Sequence, residues 1–320
     1  MKMKIMKKRS KDNNLLMLID GSNLAYRSYY RFKQLRFKNV PTGLVFGFLR
    51  QLWIYITRFK PNDIIVIFDT AKSKKSNFRN KLHPNYKGDR KKDLSFNIED
   101  FNHQIIIVRK VLRRLGIKVV WDNIGLKHET DDYIAYYTRA HTGKVVIISG
   151  DKDFCQLLDD NVKMLKVQSD KDNLLYKSNC KEVMGVEANQ FADYLILVGD
   201  SSDSIKGYHG IGEVKGKKFF EQFKSINSFL RTESAEYPGI DKDGLRDLYK
   251  RNVYLINLDK ALKKYPIKQI PLIKPKILNE DKVISMFEEY GMRHFTTNEF
   301  LEPFKQLQNE NRNGRSIRRG

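Results

Sequence analysis

Val145-Val-Ile-Ile-Ser-Gly-Asp-Lys-Asp153 decides the fold. A short unbroken Val/Ile run ending in a small-residue turn reads as a strand buried on both faces, as strands of parallel sheets are. The same grammar occurs at residues 15–19, which precede Asp20, and at residues 64–68, which precede Asp69. A fourth run covers residues 117–121. Between these runs, apolar residues recur with helical spacing over residues 44–58, 101–115 and 129–140. Strands alternating with helices predict an α/β fold: a mostly parallel central sheet with helices on both faces.

Carboxylates collect where these strands end. Nine of them fall in five clusters: Asp20; Asp69; Glu129, Asp131 and Asp132; Asp151 and Asp153; Asp200 and Asp203. The ends of parallel strands converge on one crevice, where like charges repel unless a cation lies between them. Any one acid alone reads as a helix cap or turn residue, but five in equivalent places point to a shared centre. Hard oxygen donors suit Mg²⁺, and Mn²⁺ can substitute. One octahedral Mg²⁺ takes only one or two carboxylates, so the excess predicts two or more ions, an arrangement that cleaves phosphodiesters.

The 320-residue chain is 41% hydrophobic, enough for a substantial core, and carries a net charge of +22. Such a charge points to a polyanionic partner. Its only cysteines, Cys155 and Cys180, have no metal or disulfide spacing, and six scattered histidines show no zinc pairing. The basic start has too short an apolar run behind it for a secretory signal. No stretch approaches the roughly 20 apolar residues of a membrane span. The expectation is a soluble cytoplasmic monomer.

Two segments fit nucleic acid. Residues 72–92 carry nine Lys and Arg, among them Arg79, Lys87 and Arg90, with Phe78, His83 and Tyr86 interleaved. That composition reads as a solvated loop or as a clamp that follows a phosphate backbone and stacks bases. Its place just after Asp69 favours the clamp, extending as a basic arch to about residue 100. Further on, Gly207-Tyr-His-Gly210-Ile-Gly212 has the form of a helix–hairpin–helix turn. Glycines there let backbone amides reach a phosphate, and Lys215, Lys217 and Lys218 add charge without base readout.

The ordered motifs Ile-Asp20-Gly-Ser-Asn, Phe-Asp69, Pro84-Asn-Tyr-Lys-Gly-Asp-Arg90, Glu129-Thr-Asp-Asp132, Ser-Gly-Asp151-Lys-Asp153, Gly-Asp200-Ser-Ser-Asp203 and Gly210-Ile-Gly212 resemble the 5′-nuclease superfamily of flap endonucleases. That superfamily includes the 5′→3′ exonuclease domain of bacterial DNA polymerase I and free-standing phage nucleases. The resemblance implies cleavage of 5′ flaps, 5′-ended duplexes or RNA–DNA hybrids in primer and flap removal, leaving a 5′-phosphate and a 3′-hydroxyl. It implies that all nine acids are metal ligands, some through water, and that Lys87 and Arg90 face the scissile phosphate. Tyr86 and Arg27 would orient the 5′ strand, with Arg79 a further DNA contact. The hairpin would hold duplex DNA, with K⁺ as an optional occupant, and a single-strand-binding protein is a candidate partner.

The run after the last acids, Asp203-Ser-Ile-Lys-Gly, lacks the Asn and Pro of many relatives, and Gly216 stands where Ala is common. The expected layout is a nuclease core over 1–185, a hairpin region over 186–260, a helical region over 261–308 and a disordered basic tail over 309–320. Two other readings stand beside it: a PIN-type ribonuclease, and a DNA-binding protein without catalysis.

Overall fold

The computed structural model describes residues 14–69, 76–89, 93–121, 127–168 and 172–316, with side chains to residue 309. Its core is a seven-stranded sheet in the order β11-β5-β4-β1-β6-β7-β8. Here β1 is Leu15–Asp20, β4 Asp63–Phe68, β5 Lys118–Trp121, β6 Lys144–Ser149, β7 Val162–Lys166, β8 Asn173–Leu175 and β11 Leu272–Ile273. The five central strands are parallel, while β8 and β11 run antiparallel at the two edges. The four strands expected from sequence are the inner part of this sheet.

Alternate residues of each strand enter opposite apolar layers. Leu16, Leu18, Ile65, Ile67, Val145 and Ile147 face one layer; Met17, Ile19, Ile64, Val66, Val146 and Ile148 face the other. Both faces are therefore dry, which explains the unbroken Val/Ile/Leu runs. Helices α1 (Gly21–Arg31), α2 (Gly43–Phe59), α4 (Ile98–Arg114), α12 (Glu280–Glu289) and α13 (Asn298–Ser316) cover the second layer, with α3 being Phe78–Leu82. Over the first lie α5 (Thr130–Ala140), α6 (Cys180–Met184), α7 (Phe191–Val198), α8 (Glu213–Gln222), α9 (Ile226–Arg231), α10 (Lys242–Ile256) and α11 (Leu258–Lys264).

The far end of the chain packs back onto the core. Phe287, Phe295, Phe300 and Phe304 are buried in the same layer as Phe48 of α2 and Val108 of α4, so residues 280–307 form part of the sheet's own cover. The backbone of α13 continues to Ser316, so the helix runs into the stretch expected as a tail over residues 309–316.

Register places the acids. Asp20 pairs with Ile67, and Ile19 pairs with both Val66 and Ile148. Asp20, Asp69 and the turn after Ser149 thus emerge along one edge of the sheet. Between α7 and α8, the short strands β9 (Gly199–Asp200) and β10 (Ile205–Lys206) pair as a hairpin, and a glycine turn follows. Gly216 lets α8 press onto α7: a Cβ there would meet Val198 Cγ1 at 2.4 Å and Tyr194 Cε2 at 3.2 Å. Gly216→Ala gains about 1 kcal/mol of helix propensity but forces a clash worth ~1–3 kcal/mol. We expect a net loss of roughly 1 kcal/mol in urea unfolding; a gain would show that the two helices have room to spare.

Candidate metal centre

Each acidic cluster is held by the element that carries it. Asp20 caps α1: Oδ1 accepts the Asn23 N–H at 2.9 Å, and Oδ2 accepts the Ser149 hydroxyl at 2.8 Å. Asp69 ties two elements together, since its N–H donates to Ser22 Oγ (2.8 Å) and its Oδ1 accepts the Thr130 N–H (2.9 Å). Glu129 is the N-cap of α5, with Asp131 and Asp132 in the first turn, where the helix dipole favours negative charge. Asp151 caps a 3-10 turn by accepting the Asp153 N–H at 2.9 Å. Asp200 Oδ1 accepts both the N–H (2.9 Å) and the hydroxyl (2.8 Å) of Ser202.

The carboxyl groups feel one another across these elements. Burial lifts the Asp20 carboxyl to about 7, with Asp69 and Asp151 adding repulsion. Asp131 is raised well above the ordinary carboxylate range by burial and then by Asp151. Asp153 is raised by burial, then by Asp151, Asp200 and Asp203; burial raises Asp151 as well. Each of the five clusters thus lies within electrostatic reach of another. Glu129 moves the other way: burial pushes it up, but Lys87 and Arg79 outweigh that and hold it below its usual value.

Lys87 is the cation inside this group. Its Nζ lies 3.0 Å from Glu129 Oε2 and 3.8 Å from Asp203 Oδ2, and its N–H donates to the Asp203 carbonyl at 3.0 Å. Its backbone is left-handed, with φ +58°. Burial lowers its basicity, yet the surrounding carboxylates raise it beyond the usual lysine range.

Several expected roles change. Arg79 is no surface contact: it is 1% exposed. Its two terminal nitrogens reach the Asp132 carboxylate oxygens at 2.8 Å each, and its Nε donates to the Leu255 carbonyl at 3.0 Å. Asp132 is consequently no open metal ligand, because Arg79 holds both oxygens and Oδ2 also accepts the Glu129 N–H at 3.0 Å. This pair sets the start of α5 and so positions Glu129. Tyr86 is buried with its hydroxyl between Glu129 Oε2 (3.0 Å) and Asp203 Oδ2 (2.9 Å), and Phe78 is buried too. Neither ring is a platform for bases.

The Arg27 guanidinium donates to the Gln168 carbonyl and lies 3.8 Å from Asp172, so protein partners already engage it. Arg90 lies outside the described residues, as do Lys72, Lys74, Lys75, Lys91 and Lys92.

Gly210 has φ +75°, and a Cβ built at Gly210 or Gly212 would meet nothing within 4 Å, so this backbone is open to an incoming group. Lys215 Nζ donates to the Gly210 carbonyl at 3.0 Å, which places an ammonium at this turn. Lys217 lies 4.0 Å from Glu213, while Lys218 is exposed.

Sequence reading missed Ser22, Asn23 and Ser149, which anchor the acids. The Asn23 amide oxygen also accepts the Gly150 N–H at 3.0 Å, joining the first and fourth acidic clusters. An Asp immediately before a helical stretch is an N-cap signal that would have found part of this.

Among the described residues, no three acidic, histidine or cysteine side chains are drawn together tightly enough to enclose one ion; Lys87 supplies local positive charge instead. The donors still suit a hard divalent cation. They are oxygens, they repel one another, and Asp153 Oδ1 is buried with no hydrogen-bond partner. The residues that would hold such ions are Asp20, Asp69, Glu129, Asp131, Asp151, Asp153, Asp200 and Asp203.

The chain is similar to known nucleases. Residues 15–185 match the family model for the 5′-3′ exonuclease N-terminal resolvase-like domain. A 5′-3′ exonuclease of Aquifex aeolicus is 31% identical over 261 residues, 79% of this chain and 86% of that protein. DNA polymerase I of Caldicellulosiruptor bescii is 34% identical over 226 residues, 68% of this chain but 25% of the polymerase. Among solved structures, a T5 5′-exonuclease with bound zinc superposes with TM-score 0.63 at 21% identity, covering 92% of this chain and 99% of that one. The catalytic core of Rad2 with a DNA substrate gives 0.51 at 15% identity, covering 94% and 95%. The chain belongs to the 5′-3′ exonuclease family; it is a nuclease. No helix among the described residues is long and apolar enough to cross a membrane.

Proposed function

We propose that the protein is a structure-specific 5′-nuclease that cleaves 5′ flaps and 5′-ended DNA or RNA–DNA duplexes with two or more Mg²⁺ ions. The carrying observation is the convergence of five acidic clusters at the sheet edge with Lys87 held among them. When bound, the ions supply a water made acidic enough to attack and a clamp on the attacking and leaving oxygens. The chain's own part is to hold the acids in place through Ser22, Asn23, Ser149 and the Arg79–Asp132 pair. Lys87 is poised to leave its carboxylates and neutralise the scissile phosphate. The open turn at Gly210 and Gly212, with Lys218 nearby, is suited to grip a duplex backbone away from the cut.

A 5′-end-labelled flap duplex with Mg²⁺, and the same with EDTA, tests this reading. A Mg²⁺-dependent cut at the junction, leaving a 5′-phosphate, is the expected result. Binding without cutting in Mg²⁺ or Mn²⁺ would leave a DNA-binding protein, and cutting of single-stranded RNA alone would favour a PIN-type ribonuclease. In that assay Lys87→Ala should lower the single-turnover rate by about 10²–10³, as loss of one electrostatic stabiliser does, with flap affinity changed much less. A rate within threefold of wild type would remove Lys87 from the reaction.

A further inference from the structure

Lys87 holds an uncommon place for a lysine: its backbone is left-handed while its ammonium lies among carboxylates. Attraction to Glu129 and Asp203 places the side chain, but it does not fix a backbone conformation that residues with a Cβ seldom adopt. The main chain needs its own restraint, and hydrogen bonds supply it. Residues 84–89 form a run of turns, and they are tied to the end of the 3-10 turn that Asp200 caps. The Lys87 N–H donates to the Asp203 carbonyl at 3.0 Å, and the Asp89 N–H donates to Ser204 Oγ at 3.1 Å. His83 Nε2 lies 3.0 Å from the Ser204 carbonyl. A carbonyl only accepts, so Nε2 carries the hydrogen. Ser204 thus grips the segment on both sides of Lys87, through His83 before it and Asp89 after it.

Ser204 is itself a fixed post. It closes the 3-10 turn Ser201–Asp203, its N–H donating to the Ser201 carbonyl at 3.2 Å, and like Lys87 it is left-handed, with φ +60°. The next residue, Ile205, is buried and pairs with Asp200, while Lys206 pairs with Gly199. The Lys206 carbonyl accepts Asn252 Nδ2 at 2.9 Å, which anchors β10 to α10. The core therefore holds Ser204 from both directions along the chain, and Ser204 holds the segment that carries Lys87.

We infer that Ser204, together with His83, is a positioning residue for Lys87: it fixes the left-handed backbone from which the ammonium reaches the scissile phosphate. This deepens the nuclease reading and rests on it. With its backbone pinned, Lys87 exchanges Glu129 for a phosphate by turning its side chain alone. The competing route runs through Asp203, the neighbour of Ser204 in the chain, and the two routes differ in one respect. Acting through Lys87, Ser204 loses its effect once the ammonium is gone; acting through Asp203, it keeps that effect.

The test is a double-mutant cycle on the full chain, read by single-turnover flap cleavage in Mg²⁺. Ser204→Gly removes the hydroxyl and keeps the left-handed backbone without strain. His83→Phe keeps a ring and removes its hydrogen bond. Each should slow cleavage about tenfold, the equivalent of one hydrogen bond, with the Kd for the flap unchanged. In Lys87→Ala neither change should slow it further by more than about twofold. Ser204→Asn keeps an acceptor and tolerates the left-handed region, so it should stay within about threefold of wild type. Amide exchange in EDTA is a second readout: the Lys87 and Asp89 N–H groups should exchange about tenfold faster in Ser204→Gly. Equal slowing with and without the Lys87 side chain would assign Ser204 to Asp203 and overturn the proposal. Rates and exchange unchanged in both Ser204→Gly and His83→Phe would overturn it too. The exchange readout needs no cleavage, so failure here is separate from failure of the nuclease reading.

Discussion

Arg79→Ala should unfold this protein far more readily than any other loss of a basic residue outside the metal centre. The guanidinium is buried and bidentate on Asp132. Removing it strands a carboxylate with no exposed surface, a change that costs about 3–5 kcal/mol. Burial raises the Asp132 carboxyl, but Arg79 overcomes that and holds it below the ordinary range. A depressed folded pKa contributes stability that is full above the unfolded value, ~3.9, and is lost as pH falls through the folded one. With Arg79 gone, burial acts on Asp132 without that offset and raises its carboxyl, so the loss in Arg79→Ala should grow as pH rises above ~3.9. Urea unfolding at several pH values measures it. A variant as stable as wild type with weakened flap affinity would restore Arg79 to the DNA-contacting role suggested by its basic neighbourhood. Arg79→Leu/Asp132→Leu should recover much of the loss, because an apolar pair leaves no stranded charge.

Asp153→Asn should separate cleavage from substrate binding. Asp153 Oδ1 has no partner in the protein, and its charge is opposed by Asp151, Asp200 and Asp203. Metal stabilisation of a transition state is worth several kcal/mol, so the single-turnover rate should fall by about 10³ or more, with flap affinity kept. Thermal unfolding supplies a second, independent sign. Without metal the variant should be more stable than wild type, since one repelling charge is gone. A ligand at a hundred times its Kd stabilises by about 2.7 kcal/mol, so Mg²⁺ should raise the wild-type midpoint and move the variant's much less. Equal Mg²⁺ responses would show that Asp153 lies outside the metal centre.

What the sequence disclosed followed from burial. Residues 15–19, 64–68 and 145–148 are apolar throughout because both faces of the sheet are covered, and an acid at or just beyond the end of such a run stands out. The edge strand Leu272–Ile273 left no such trace: two residues between Pro271 and Lys274 show no period, and their strand nature comes from pairing with Val120 and Val119. Arg79 and Tyr86 misled for a related reason. Their neighbours are basic and polar, so local composition placed them on the surface. Their actual partners, Asp132, Glu129 and Asp203, lie far along the chain and are visible only once it has folded. Composition likewise hid the helix through Ser316, whose Asn, Arg and Gly favour coil.

The order in which the sheet's parts leave the ribosome has its own consequence. Strands β1, β4, β5, β6, β7 and β8 are complete once Leu175 has been made, but the open side of β5 is closed only by Leu272–Ile273. Until then the nascent chain presents an unpaired strand edge, the kind of surface that recruits other chains. The acids compound the delay, since Asp200 and Asp203 cannot join Asp153 and Lys87 before α7 is in place. Translation speed through residues 176–273 should thus decide how much of this protein reaches its native state, and a pause there would favour aggregates.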